Sequence, residues 1–292
     1  MTLKCKHDSP IRKTGCKNIV FKETNIRLEN AVSFSQYIIG CNVLVTLIGE
    51  RHGTKFKCKA LKSEETKTIS KYCVETAERN SKCRIILEYY CGGEKIRADV
   101  PSRMNSDSIK STFKDMKDKH LDNQILPLDY RPAFLSRPGQ DDLYGNWWSK
   151  YTTSEEIKQN FILPFWKESD KFSMNNPHLY PPIVIKFLES YYQDICKTFK
   201  KINEKISKNK KYLVNDVRQD LFDAWKLVAD YFIIRKILKK GDIDEYILII
   251  GEAHRENIKI LFDKLNPCVI RIGGIQLGKS GKCVKLFETY KF

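Results

Sequence analysis

The chain of 292 residues has no apolar run of membrane-spanning length. It opens Met1-Thr2-Leu3-Lys4-Cys5-Lys6, without the apolar core of a secretory signal. The expectation is a soluble protein, intracellular and cytoplasmic, with no membrane span. Its ten cysteines contain no C-x-x-C pair. Several, such as Cys41 and Cys268, adjoin apolar strands, which is the usage of reduced, buried thiols rather than of a disulfide framework. Cys5, His7 and Cys16 could begin a zinc site, but a fourth ligand for the tetrahedron is not evident. No recognised nucleic-acid module is present. Histidine is scarce, at five residues, so where each one falls carries information.

What is present is globular in character. Hydrophobic residues make up 41% and charged residues 30% of the chain. That suits one large α/β domain or two small ones with an ample core. The net charge is +16, mostly from lysine spread along the chain. It implies non-specific attraction to an acidic partner or nucleic acid and nothing sharper. A lysine-rich solvated surface accounts for the same charge.

Two of the five histidines stand in the same setting. Val43-Leu44-Val45-Thr46-Leu47-Ile48 leads into Gly49-Glu50-Arg51-His52, and Tyr246-Ile247-Leu248-Ile249-Ile250 leads into Gly251-Glu252-Ala253-His254. Short continuous apolar runs read as buried strands of a parallel sheet. Glycine at the strand end permits a sharp turn, and Glu and His then fall on the loop beyond it. Open α/β sheets bind ligands at that edge. Neighbouring strands would bring two carboxylates and two imidazoles to one crevice. Such a set serves as ligands for a divalent ion, Mn, Co or Zn, or as acid and base.

Other strand ends repeat the theme. Residues 84–87 form a strand ending at Glu88, and 125–128 a short or edge strand, given Pro127, ending at Asp129 and Arg131. The candidate site residues are therefore Glu50, His52, Glu88, Asp129, Arg131, Glu252 and His254, with His52, His254, Glu50 and Glu252 as metal ligands. Arg235 joins them because it interrupts an apolar stripe of Val217, Leu221, Ala224, Val228 and Tyr231, where a guanidinium needs a partner. A structural ion pair or a surface-reaching side chain explains it equally well.

The remaining expectations concern organisation. Residues 1–40 are a lysine-rich lead-in, with a short strand near 19–21 and a short helix at 33–39. The α/β domain covers 41–292, with an insertion at about 132–240. Helices are expected at 63–80, 106–119, 154–163 and 255–265. A helical hairpin occupies 183–240, its first member marked by Val184, Leu188, Tyr191, Ile195, Phe199, Ile202 and Ile206 at helical spacing. Residues 132–182, rich in proline and tryptophan, form a loop-rich aromatic segment, either a lid over the site or a packed connection. Strands at 269–272 and 284–287 suggest a terminal hairpin. Gly273 to Ser280 matches a phosphate-loop pattern formally, but no helix follows it, and a glycine-rich turn explains the same residues. The fold expected is α/β: a mainly parallel central sheet flanked by helices, with a helical hairpin insertion and an aromatic loop-rich insertion.

Two Gly-x-x-His motifs, Gly49–His52 and Gly251–His254, each after a strand, resemble the superfamily of TraB/PrgY proteins, Tiki metalloproteases, ChaN-like haem-binding lipoproteins and erythromycin esterases. Glu88 at a strand end and an Arg on the helix before the second motif, best matched by Arg235, add to the resemblance. It spans roughly residues 40–275 by strand order. The Lys/Asn/Ile-rich composition also resembles members encoded by large DNA viruses. The resemblance implies an α/β fold and a site where the two motifs meet. Its members include metal-dependent peptidases, esterases with a histidine base and haem binders. The expected function is hydrolysis of a peptide, ester or other acyl bond, with or without a divalent metal, Arg131 and Arg235 steadying the developing anion. The alternatives are a non-enzymatic basic structural or interaction protein, virion-associated in one version, and a haem or metal binder with Tyr89 or Tyr90 as ligand.

Overall fold

The computed structural model describes residues 19–29, 31, 33–40, 43–50, 65–90, 107–129, 153–174, 176–208, 214–265, 269–276 and 284–291. Contacts divide the chain into two compact units. One holds residues 1–88, 104–127 and 242–292, the other 89–103 and 128–241.

The first unit is mixed α/β. Its strands are β1 (Ile19–Glu29), β2 (Ser33–Ile39), β3 (Val43–Glu50), β4 (Glu65–Thr68), β5 (Cys83–Tyr90), β6 (Ile125–Asp129), β7 (Glu245–Gly251), β8 (Val269–Gln276) and β9 (Val284–Lys291). The helices between them are α1 (Ile69–Arg79), α2 (Asp107–Asp118) and, directly after β7, Glu252–Asp263. Six strands form a sheet in the order β6-β5-β7-β3-β2-β8. Strands β3, β5 and β7 are mutually parallel, and β2 runs antiparallel to both β3 and β8. A smaller sheet has the order β4-β1-β9.

The apolar content of β7 explains its central place. Tyr246 through Ile250 are all buried, so this strand is covered on both faces. Residues paired in register point to the same face. Leu44, Glu245 and Cys83 share one face with Thr46, Ile247 and Ile85. Helix α1 covers it, with Tyr72 meeting Thr46 and Cys73 lying by Glu245. The other face carries Val45, Leu47 and Gly49 and, across the hairpin, Tyr37, Ser35 and Ser33. The helix after β7 covers this second face: Phe262 meets Tyr37 edge-on at 5.1 Å.

Four expectations are corrected. Residues 33–39 are strand β2, not a helix. Ser33, Ser35 and Gln36 are buried hydrogen-bonding residues, so their polarity hid the strand; the Gln36 amide donates to Thr46 Oγ1 at 3.1 Å across the hairpin. Gly40, at φ 55°, leads out of β2 toward β3. The helix expected from Ser63 starts at Ile69, capped by Thr68, whose hydroxyl accepts from Lys71 N at 3.1 Å. Residues 65–68 pair with β1 instead. Strand β1 runs the full length of 19–29, so residues 19–29 and 33–39 of the supposed lead-in belong to the sheets. Finally, β8 and β9 join different sheets rather than one hairpin: β8 pairs with β2 and β9 with β1. The phosphate-loop-like stretch begins inside β8, with Gly273 and Gly274 opposite Gln36 and Ser35.

The second unit contains the helical hairpin, α5 (Pro182–Lys208) and α6 (Val214–Leu238). Before them α3 (Ser154–Ile157) passes through a π turn at Lys158–Ile162 into α4 (Leu163–Lys167). The expected stripe of α5, Val184 through Ile206, is buried throughout. Phe165 of α4 stacks on Phe199 at 3.9 Å, and Trp225 packs edge-on against Phe199. Phe161, Phe165, Phe172 and Tyr180 therefore serve as core, while Trp166 is exposed; Trp147 and Trp148 lie outside the described residues. Among the described residues no helix is long and apolar enough to cross a membrane.

Candidate functional site

The two Gly-Glu-x-His strands are direct neighbours. β3 and β7 pair in parallel, Gly49 level with Ile250 and Glu50 level with Gly251. β5, which carries Glu88, lies on the other side of β7. After β5 the chain returns to β6 at one side of the sheet, and after β7 it goes to β8 at the far side. Connections that diverge in this way open a crevice at the carboxyl ends of the strands between them.

The helix after β7, α7 (Glu252–Asp263), starts without a loop. Glu252 and His254 are thus first-turn helical residues rather than loop residues, and Gly251 is the N-cap with φ −59° and ψ 148°. Glu50 likewise still belongs to β3. The turn expected of Gly49 is absent: it lies inside β3, opposite Ser33. Its smallness is what matters. A Cβ there would run into Glu252, Ser33 and Arg255.

Glu88 and His254 form one half of the site. The Glu88 carboxylate accepts from Gly251 N at 2.5 Å and lies 3.5 Å from His254 Nε2. A carboxylate at a helix N-terminus satisfies an otherwise orphan donor and the positive end of the helix dipole. His254 is buried, at 5% exposure.

Arg255 organises the other half, and sequence reasoning missed it. It is 2% exposed. Its Nε and Nη2 donate to Glu252 Oε2 and Oε1 at 3.0 and 2.8 Å, a bidentate pair. Nη1 donates to Ser35 Oγ at 2.9 Å, and Nη2 also meets Glu256. Ser33 Oγ donates to Glu252 Oε2. The available signal was the i,i+3 spacing of Glu252 and Arg255 on a helix, but nothing local distinguishes that from a surface pair.

The remaining candidates fall as follows. Glu50 is buried at the end of β3, on the face opposite Gly49 and Ser33. Asp129 closes β6, with its side chain outside the described part. His52 and Arg131 lie outside the described residues. Arg235 belongs to the helical unit, where Nη1 and Nη2 donate to the carbonyls of Lys171 and Ser173 at 2.8 and 2.7 Å. Those carbonyls are the partners its place on an apolar stripe required.

Glu252 has both oxygens engaged by Arg255 and Ser33. Among the described residues no three His, Cys, Asp or Glu side chains are grouped to hold a metal ion. The fold and this edge define an α/β protein with a histidine–carboxylate pair at the carboxyl ends of its parallel strands. Comparison with protein-family models, curated proteins and solved structures gives no match to this chain.

Proposed function

We propose that the protein is a hydrolase of acyl bonds whose base is His254. The observation that supports this is the Glu88 carboxylate, held by Gly251 N and 3.5 Å from His254 Nε2. A proton on Nε2, facing that carboxylate, makes Nδ1 the basic nitrogen. Nδ1 takes a proton from water as its oxygen bonds to the acyl carbon. The imidazolium returns that proton to the leaving oxygen or nitrogen as the acyl bond breaks, and Glu88 stabilises the cation in between. Glu50, at the end of the adjoining β3, is the next candidate for orienting the water or substrate, with His52 two positions further along the sequence. Among the described residues no three His, Cys, Asp or Glu side chains form a divalent-ion cage, and the proton path runs through His254 and Glu88.

The test is a panel of ester and peptide substrates offered to the wild type, His254→Ala and Glu88→Gln, each also after chelation. Both substitutions should reduce turnover by about 10²-fold or more, and chelation should leave the wild type active. Activity lost on chelation and restored by Mn, Co or Zn would replace this version with a metal-dependent one. Equal rates in all three proteins would leave the basic binding-protein reading, which the +16 charge favours.

A further inference from the structure

The second motif contains two acidic or imidazole side chains, but they have separate partners: His254 faces Glu88, while Glu252 faces Arg255 and Ser33. We infer that Arg255, acting through Glu252, is the positioning residue that holds the first turn of α7 so that Gly251 N and His254 both meet Glu88. The inference rests on the hydrolase reading only for its functional meaning.

Three observations carry it. First, the Arg255 side chain is fully enclosed, and its donors reach both Glu252, at the start of α7, and Ser35 on β2. It therefore fastens the helix to a strand two places away in the sheet, across β3. Second, β3 leaves room for this fastening only through Gly49, where a Cβ would displace Glu252, Ser33 and Arg255 together. The glycine of the first motif is thus the floor for the glutamate of the second, and the two motifs are one packed unit. Third, Glu252 and Arg255 are each adjacent in sequence to one of the two groups that meet Glu88: Gly251 precedes Glu252, and His254 precedes Arg255. A shift of the first turn would lengthen both Glu88 contacts at once. Lysine cannot replace the fork, since it is a point charge without the bidentate geometry.

The experiment measures the Gly251 amide and the His254 ring nitrogens by NMR at one fixed pH, in the wild type, Arg255→Lys, Arg255→Met and Glu252→Gln. Loss of the charge-assisted bond from Gly251 N should speed its hydrogen exchange by about tenfold or more in all three variants. The His254 ring nitrogen shifts should move with it, while the amides of Leu248 and Ile249 keep wild-type protection. A purely structural role would loosen those core amides equally, or leave Gly251 alone, and either result overturns the inference. Should Arg255→Met fail to fold, Glu252→Gln keeps the side-chain volume and removes one of the two anionic acceptors, so the measurement is made there. The two readings fail separately. A wild type that hydrolyses nothing ends the hydrolase proposal without touching the exchange result. Unchanged Gly251 exchange ends the positioning role whatever the substrate panel gave.

Discussion

At the scale of single residues, Gly49 makes the sharpest demand. Its backbone is ordinary strand, so the constraint is space rather than conformation. Gly49→Ala should cost about 1–3 kcal/mol as overpacking forces Glu252 and Arg255 aside. A urea midpoint measures this, with Gly241→Ala as the control, because nothing lies within 4 Å of a Cβ at Gly241. Equal midpoints for the two variants would contradict the interlocked motifs. Arg255 shows why burial matters more than residue type. The same Glu-x-x-Arg spacing on an exposed helix contributes only a few tenths of a kcal/mol. Enclosed here, with Ser35 on the third donor, it becomes a fixed joint.

At the scale of elements, the chain of strand, cap and helix decides where each side chain stands. Thr68 ends β4 and caps α1 in one residue. Thr68→Ala should lower stability by about 1 kcal/mol through the lost cap, read as a lower midpoint with an unchanged denaturant slope. An unchanged midpoint would place the start of α1 elsewhere. The direct passage of β7 into α7 has a comparable effect on the site. It turns a presumed loop into a helix N-terminus, which gives Glu88 a backbone donor to bind. In the helical unit Tyr231 donates to Phe172 O at 3.0 Å and Arg235 to Lys171 O and Ser173 O. Helix α6 thereby ties down the short turn at Ser169–Phe172.

At the scale of the whole molecule, the buried ionisable groups set an alkaline limit. Burial, and next the charge of Glu245, push the thiols of Cys73 and Cys83 and the hydroxyl of Tyr72 upward. Burial raises Tyr231 to about 12, against its Arg235 neighbour. Each group is held neutral in the folded protein and ionises more easily when unfolded. Their contribution is therefore complete below the ordinary values of 9.0 for Cys and 10.0 for Tyr, and is lost as pH rises above them. Thermal midpoints should be level from pH 7 to about 9 and then fall. Cys73 and Cys83 should also resist alkylation at pH 8 until the chain is unfolded. Labelling of the native protein at the rate of an exposed thiol would refute their burial beside Glu245.

The apolar runs by themselves determined much of this protein. A strand such as Tyr246–Ile250 can be satisfied only with both faces covered, so its place inside a parallel sheet follows from composition alone. The stripe of α5 and the end of β6 followed from periodicity and breakers in the same way, while β5 runs to Tyr90, past Glu88. The recurrence of Gly-Glu-x-His after two such strands pointed to one edge, and β3 and β7 are indeed paired. Tertiary structure alone decided the rest. Residues 33–39 carry serines and a glutamine whose polarity suggests a surface, and only their partners, Arg255 and Thr46, explain why they are buried strand. Glu50 and Glu252 look equivalent in sequence, yet one ends a strand and the other begins a helix, so they serve different neighbours. Arg235 was marked by its apolar stripe and Arg255 by nothing local, yet it is Arg255 that stands at the strand ends. Which acceptors receive a guanidinium depends on residues as distant as Ser35, 220 positions from Arg255, and no local pattern carries that information.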